Sequence, residues 1–151
     1  MLINLLIGIV TMILCLLLQS LLVVAALRYY TRNENRVHST FPRAVSVIIG
    51  MMLILILANL AQVAVWALLF CVLGEFETLE QAFYHSGVNF ATLGYGDVVM
   101  SEKHRLLGPL EAINGALMIG VSTAALTRAF TVVVRKQVPP YAKGRRRAEL
   151  E

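Results

Sequence analysis

Apolar residues dominate three long stretches of the chain, at residues 2–27, 45–73 and 108–134. A helix needs about 20 predominantly apolar residues to cross a bilayer, and each stretch exceeds that length. The segment between the second and third stretches, residues 74–107, has shorter apolar runs and more acidic and small residues than the three stretches. The pattern predicts an all-α integral membrane protein with three transmembrane helices per chain.

The composition supports this interpretation and excludes several classes of protein. Hydrophobic residues make up 58% of the chain and charged residues only 15%, whereas soluble domains carry about 25% charged residues. Cys15 and Cys71 lie within apolar stretches, so we expect neither a disulfide nor a metal site. No nucleophile–base pair and no cluster of metal ligands is apparent in the sequence, so we expect no enzyme activity.

The positions of the basic residues predict the orientation in the membrane. Four arginines fall in residues 28–44 and six basic residues in 135–151, whereas residues 74–107 hold two basic residues against five acidic ones. Basic residues favour the cytoplasmic side, so we predict a cytoplasmic connector (28–44), a cytoplasmic tail (135–151) and an outside N-terminus in the plasma membrane. The tail could also bind anionic lipid, and nucleic acid is not needed to explain the net charge of +4.

Residues 78–97 contain the most specific local pattern. Thr78 and Gln81 fit a capping box, which predicts a helix beginning at Leu79 and continuing to about Ala91. Such a helix is too short to span a bilayer, so we expect it to enter the membrane and turn back. It is followed by the sequence TLGYGD at residues 92–97.

The residue types of this hexapeptide suit an irregular segment that lines a water-filled path, one of the few places where such backbone is tolerated at membrane depth. Gly94 and Gly96 permit positive φ, so successive carbonyl groups can point the same way. The hydroxyl of Thr92 can add a further oxygen, and the ring of Tyr95 can brace the segment against surrounding helices.

The hexapeptide resembles the selectivity filter of potassium channels, in which backbone carbonyls replace the hydration shell of the ion. The third stretch, with Gly115, Gly120 and the TAAL run at 123–126, is similar to the inner helix of small bacterial two-transmembrane-type potassium channels. The resemblance covers a pore domain at 45–134, with an outer helix (45–73), a pore helix and filter (78–97) and an inner helix (108–134). Residues 1–27 form an additional helix that either packs on the outside or binds lipid, a partner or an effector.

The resemblance implies a homotetramer around one central pore, with bound K⁺ ions and no other cofactor. It implies that the filter oxygens come from five residues: Thr92, Leu93, Gly94, Tyr95 and Gly96. The first four of these supply the carbonyls that hold K⁺. The family's aspartate just outside the filter corresponds to Asp97, and we predict that Tyr84 or His85 of the pore helix bonds to it.

Four residues of the third stretch have open alternatives. Gly115 and Gly120 either act as hinges of the inner helix or let helices approach closely. Glu111 is a functional candidate because acidic residues within membranes usually are, although a structural bond to a neighbouring helix is favoured. Asn114 either points into the pore cavity or bonds to another helix.

The function implied by the resemblance is passive, selective conduction of potassium. A less selective cation channel is a weaker alternative, because Tyr95 and Gly96 are both present. A non-conducting membrane subunit with a channel-like loop is the third reading.

Overall fold

The computed structural model describes residues 1–37 and 39–137, with side chains described through residue 135. The basic residues at 143–147, for which lipid binding is predicted, lie outside the described residues. The described part of the chain forms five helices: α1 (Leu2–Arg32), α2 (Glu34–Val37), α3 (Phe41–Val72), α4 (Leu79–Phe90) and α5 (Leu107–Gln137).

Three of these helices are long and apolar enough to cross a membrane, namely Leu2–Arg32, Phe41–Val72 and Leu107–Arg135. Many of their large apolar side chains are exposed around much of each helix, as at Leu21 and Leu57. A helix that is apolar on nearly all sides suits a lipid environment. No strand occurs in the described residues. The all-α membrane fold predicted from the sequence is therefore confirmed, and the protein is a multi-pass membrane protein.

The helices extend beyond the apolar stretches from which they were predicted. Helix α1 continues to Arg32 and α3 begins at Phe41, so most of the predicted connector at 28–44 is helical. Arginine is a good helix former, and its long side chain can carry the charge from a membrane helix to the interface. Pro42 lies in the first turn of α3, where its missing N–H has no intrahelical partner to lose.

The three long helices pack together, and α4 lies against α3 and α5. One buried cluster joins Cys15 of α1 to Trp66 and Phe70 of α3 and to Leu107 of α5. A second joins Ala26 of α1 to α3 and α5 near the other end of the bundle. Helix α1 therefore packs against both α3 and α5.

Candidate functional site

Helix α4 begins at a capped end and stops directly before the irregular segment. The Thr78 hydroxyl accepts a hydrogen bond from the Gln81 backbone N–H at 3.3 Å, and Glu80 lies in the first turn. The Thr78 hydroxyl satisfies one of the free N–H groups at the helix start, and the negative charge of Glu80 suits the positive end of the helix dipole. Its 12 residues span about 18 Å, which is too short to cross a bilayer.

The segment after α4 has an alternating backbone conformation. The φ angle is +59° at Thr92, +59° at Gly94 and +75° at Gly96, whereas Leu93 and Tyr95 keep negative φ. When residues of positive φ alternate with residues of negative φ, successive N–H groups can face one side of the chain and the carbonyl oxygens the other. Positive φ at Gly94 and Gly96 was expected from the sequence.

The positive φ of Thr92 was not anticipated from the sequence. A β-branched residue with positive φ is a true outlier, and such a conformation costs about 1–3 kcal/mol. It is held in place because the Thr92 N–H donates to the Asn89 carbonyl at 2.8 Å and the Leu93 N–H donates to the Val88 carbonyl at 2.9 Å. The end of α4 thus sets the conformation at which the segment starts.

Residues 91–97 are all exposed on a single chain. The exposed fraction is 54% for Leu93 and 65% for Tyr95, so the described chain does not itself provide the helices that Tyr95 was expected to brace against. An irregular segment at membrane depth must be covered by protein or line a water-filled path. A single chain does not enclose this segment.

The outer end of the segment is held by α4 through Tyr84. The Tyr84 hydroxyl donates to Asp97 Oδ2 at 2.6 Å, and the Val98 N–H donates to Asp97 Oδ1 at 3.0 Å. The bond with Tyr84 lowers the pKa of Asp97, and the same bond raises the pKa of Tyr84. Of the two residues named from the sequence as partners of Asp97, Tyr84 makes this contact.

His85 holds the next residue along the segment instead. Its Nδ1 lies 2.8 Å from the Val98 carbonyl oxygen, and its Nε2 lies 2.8 Å from Asn89 Nδ2. Because a carbonyl only accepts, Nδ1 carries the hydrogen and Nε2 accepts from the amide. The ring is 6% exposed, and this burial lowers the pKa of His85. His85 is thus placed to donate to Val98, a contact that no pattern in the sequence indicated.

Glu111 is fully buried behind α4 rather than exposed beside the irregular segment. Its carboxyl group is hydrogen-bonded to the Ser86 hydroxyl, which also donates to the Val63 carbonyl at 2.8 Å. These contacts connect α5, α4 and α3 at one point. Glu111 thus makes a bond to a neighbouring helix, as the favoured alternative expected, and its role in conduction stays a prediction.

Gly115, Gly120 and Asn114 lie in three different environments. A Cβ atom on Gly115 would overlap the backbone carbonyl of Phe90, so α5 and the end of α4 touch at this glycine. Gly120 has no atom within 4 Å of its Cβ position. Asn114 is fully buried beside Cys15 of α1, and its amide has no hydrogen-bond partner among the described residues. Of the two alternatives left open for Asn114, its burial beside α1 favours contact with another helix over a position in the pore cavity.

A second polar contact, which was not predicted from the sequence, joins Glu75 to Ser101 and His104. Glu75 accepts hydrogen bonds from the Ser101 N–H at 2.6 Å and the Ser101 hydroxyl at 2.7 Å, and it pairs with His104. Burial acts to raise the pKa of Glu75, but the bonds from Ser101 and His104 outweigh it and hold that pKa below its usual value. The end of α3 is thereby tied to the segment that leads into α5.

Comparison with known proteins identifies the region that contains this site. Residues 53–132 match a family model described as an ion channel. The matched region is more than half of the chain and includes α4, the irregular segment and most of α3 and α5. No curated protein and no solved structure gives a match to the chain.

Gly115→Ala is expected to lower the free energy of unfolding by about 1–3 kcal/mol, the usual cost of overpacking. The new methyl group would meet the Phe90 backbone, which cannot rotate away as a side chain can. Gly120→Ala is the matched control in the same helix, and it should leave stability unchanged or raised because alanine favours helices. Thermal unfolding in detergent measures both, and equal losses in the two variants would contradict the packing described for Gly115.

Glu75→Gln is expected to reduce the dependence of stability on pH. Because the folded state lowers the pKa of Glu75, its contribution is present above the unfolded pKa and is lost as the pH falls through the folded value. The wild-type melting temperature should therefore fall more between about pH 6 and pH 3 than that of the variant. Glu102→Gln, at an exposed site in the same outer segment, serves as the control and should behave like wild type.

Proposed function

The chain belongs to this ion channel family, and we propose that it is a potassium-selective channel in which four copies surround one pore. The alternation of positive φ at Thr92, Gly94 and Gly96 carries the proposal. Such an alternation allows consecutive carbonyl oxygens of the TLGYGD segment to face one side of the chain, as coordination of a dehydrated cation requires.

In this proposal the carbonyls of Thr92, Leu93, Gly94 and Tyr95, with the Thr92 hydroxyl, are the ligands of K⁺. Gly96 completes the alternation. One chain contributes a single line of oxygens, whereas the ion must exchange a whole hydration shell for protein oxygens. Four copies of the loop around an axis supply the remaining ligands, and K⁺ is then the transported ion and needs no other cofactor.

The exposed surface of a single chain supports assembly around an aqueous path. Besides residues 91–97, α5 exposes a stripe that includes Gly120, Thr123, Thr127 and Thr131. Residues at this spacing share one face of a helix. Each threonine hydroxyl in the stripe donates to the carbonyl four residues earlier, which leaves its lone pairs available to water. This face suits the wall of a pore below the filter.

Charges and dipoles around the segment favour a cation. The carbonyl end of α4 lies next to Thr92 and carries partial negative charge. At the opposite end of the segment lies the Asp97 carboxylate, whose pKa the bond from Tyr84 lowers. Exposed Glu77 and Glu80 add negative potential near the outer mouth.

The conduction mechanism requires no chemical step. K⁺ enters from water, exchanges its hydration shell for the carbonyl oxygens and passes down its gradient. Tyr84 and His85 act as filter supports, because each bonds to one of the two residues, Asp97 and Val98, that directly follow the filter. These side chains preserve the spacing of the oxygens as ions move through.

The proposed orientation follows the distribution of basic residues. The protein lies in the plasma membrane, the filter opens to the outside, and the C-terminus is in the cytoplasm. Anionic lipids are proposed partners of the basic tail. In the same proposal, the N-terminus of α1 is outside.

Gly96→Ala is expected to reduce potassium efflux from proteoliposomes at least tenfold while the tetramer stays intact in size-exclusion chromatography. A Cβ at φ +75° is strained by about 1–2 kcal/mol at every copy of the filter. Gly87→Ala, in α4, is the matched control, because its Cβ position is 4.0 Å from its nearest neighbour and alanine suits a helix. Efflux from Gly96→Ala equal to that from wild type would refute the filter assignment.

A silent wild-type tetramer would favour a non-conducting subunit, and equal potassium and sodium efflux would favour a less selective channel.

A further inference from the structure

A group of buried and half-buried polar side chains lies where the three long helices meet. This mid-span cluster consists of Gln19 of α1, Asn59 and Gln62 of α3, and Ser122 of α5. Gln62 Nε2 donates to Gln19 Oε1 at 2.7 Å, and Gln19 Nε2 donates to the Ser122 hydroxyl at 2.9 Å. Asn59 Nδ2 donates to the same hydroxyl at 3.4 Å.

Gln19 is the centre of the mid-span cluster. It is 2% exposed, and both ends of its amide are used, with a further contact from Nε2 to the Met118 carbonyl at 3.4 Å. Apart from Ser20, the other residues at 16–24 of α1 are leucines and valines, so an apolar residue at position 19 would be enough for packing alone. A buried amide in a membrane helix needs partners on other helices, and here those partners are on α5 and α3.

The mid-span cluster contacts α5 at Ser122. Nearer the filter, α5 is held at Gly115 by contact with Phe90 of α4. Gly120 follows, with no packing neighbour, and Ser122 lies two residues beyond it. Glycine is the weakest residue in a helix interior apart from proline. The part of α5 after Gly120 packs through apolar contacts at Ala129 and Val133, and Ser122 is where hydrogen bonds from α1 and α3 hold it.

We propose that α1 is a brace for the inner helix, and that Gln19 is the positioning residue that sets where α5 lies beyond Gly120. Movement of that part of α5 separates Ser122 from Gln19 and leaves polar groups unpaired in an apolar surrounding. Such a state is costly, whereas purely apolar faces can shift against each other without losing any hydrogen bond. Gln62 holds the Gln19 amide in the orientation that reaches Ser122.

The brace gives the additional N-terminal helix a role in gating rather than in ion selection. None of the cluster residues lies in the irregular segment at 92–97. Removing the cluster should alter how often the pore is open and leave the ion preference unchanged. This conduction readout rests on the proposed channel function, so a second readout that does not need current is required.

The test compares wild type with Gln19→Leu, Ser122→Ala and the double variant as tetramers in planar bilayers. Each single variant should change the open probability at least about threefold, which corresponds to one interhelical hydrogen bond in a membrane protein, and should keep the wild-type reversal potential. The double variant should match the stronger single variant, because both remove the same bond. Unchanged open probability, or effects of the two changes that simply multiply, would overturn the proposal.

Ser20→Ala is the matched control on α1. Ser20 is exposed, and its hydroxyl donates to the Leu16 carbonyl within its own helix, so the open probability should equal that of wild type. If Gln19→Leu fails to assemble, Ser122→Ala alone decides the question by the same criterion.

Amide hydrogen exchange provides the readout that is independent of conduction. In Gln19→Leu, peptides of α5 after residue 120 should exchange at least about threefold faster, while peptides covering 107–118 should keep wild-type rates. Equal rates throughout α5 would refute the brace even in a channel that conducts. Faster exchange in a protein without current would support the brace and count against the proposed channel function.

Discussion

A peptide carbonyl at the depth of the hydrocarbon must have a partner, and residues 92–97 present a row of carbonyls that the chain itself does not cover. Most of the remaining architecture positions that row. The capped start of α4 and the two backbone bonds at its end fix where the segment begins. A bound cation and neighbouring copies of the chain would satisfy the oxygens that no helix satisfies.

The supports of the irregular segment form two layers. In the first, adjacent residues of α4 hold adjacent residues of the segment, with Tyr84 on Asp97 and His85 on Val98. In the second, α4 is itself fixed to α3 and α5 by the Ser86–Glu111 contact. The mid-span cluster is a further group of hydrogen-bonded polar side chains inside the apolar bundle.

Sequence reasoning predicted the parts of this structure that depend on local chemistry. Apolar length gave the three long helices, Thr78 and Gln81 gave the start of α4, and Gly94 and Gly96 indicated positive φ. What it missed depends on the direction that a side chain faces in the folded bundle. Helices that are apolar on nearly every side carry little periodic signal, so the burial of Asn114 against α1 could not be deduced. Likewise, the bond from His85 to Val98 and the pairing of Glu75 with His104 join residues far apart in sequence. The positive φ of Thr92 contradicts its own conformational preference and follows only from its neighbours.

The most direct test of the account is the reversal potential of the purified wild-type tetramer in a planar bilayer with potassium on one side and sodium on the other. The carbonyl oxygens of residues 92–95 are expected to prefer K⁺ strongly, so the current should reverse close to the potassium equilibrium potential. A clear current that reverses near zero would contradict the account, because it would show that the segment at 92–97 conducts without selecting potassium.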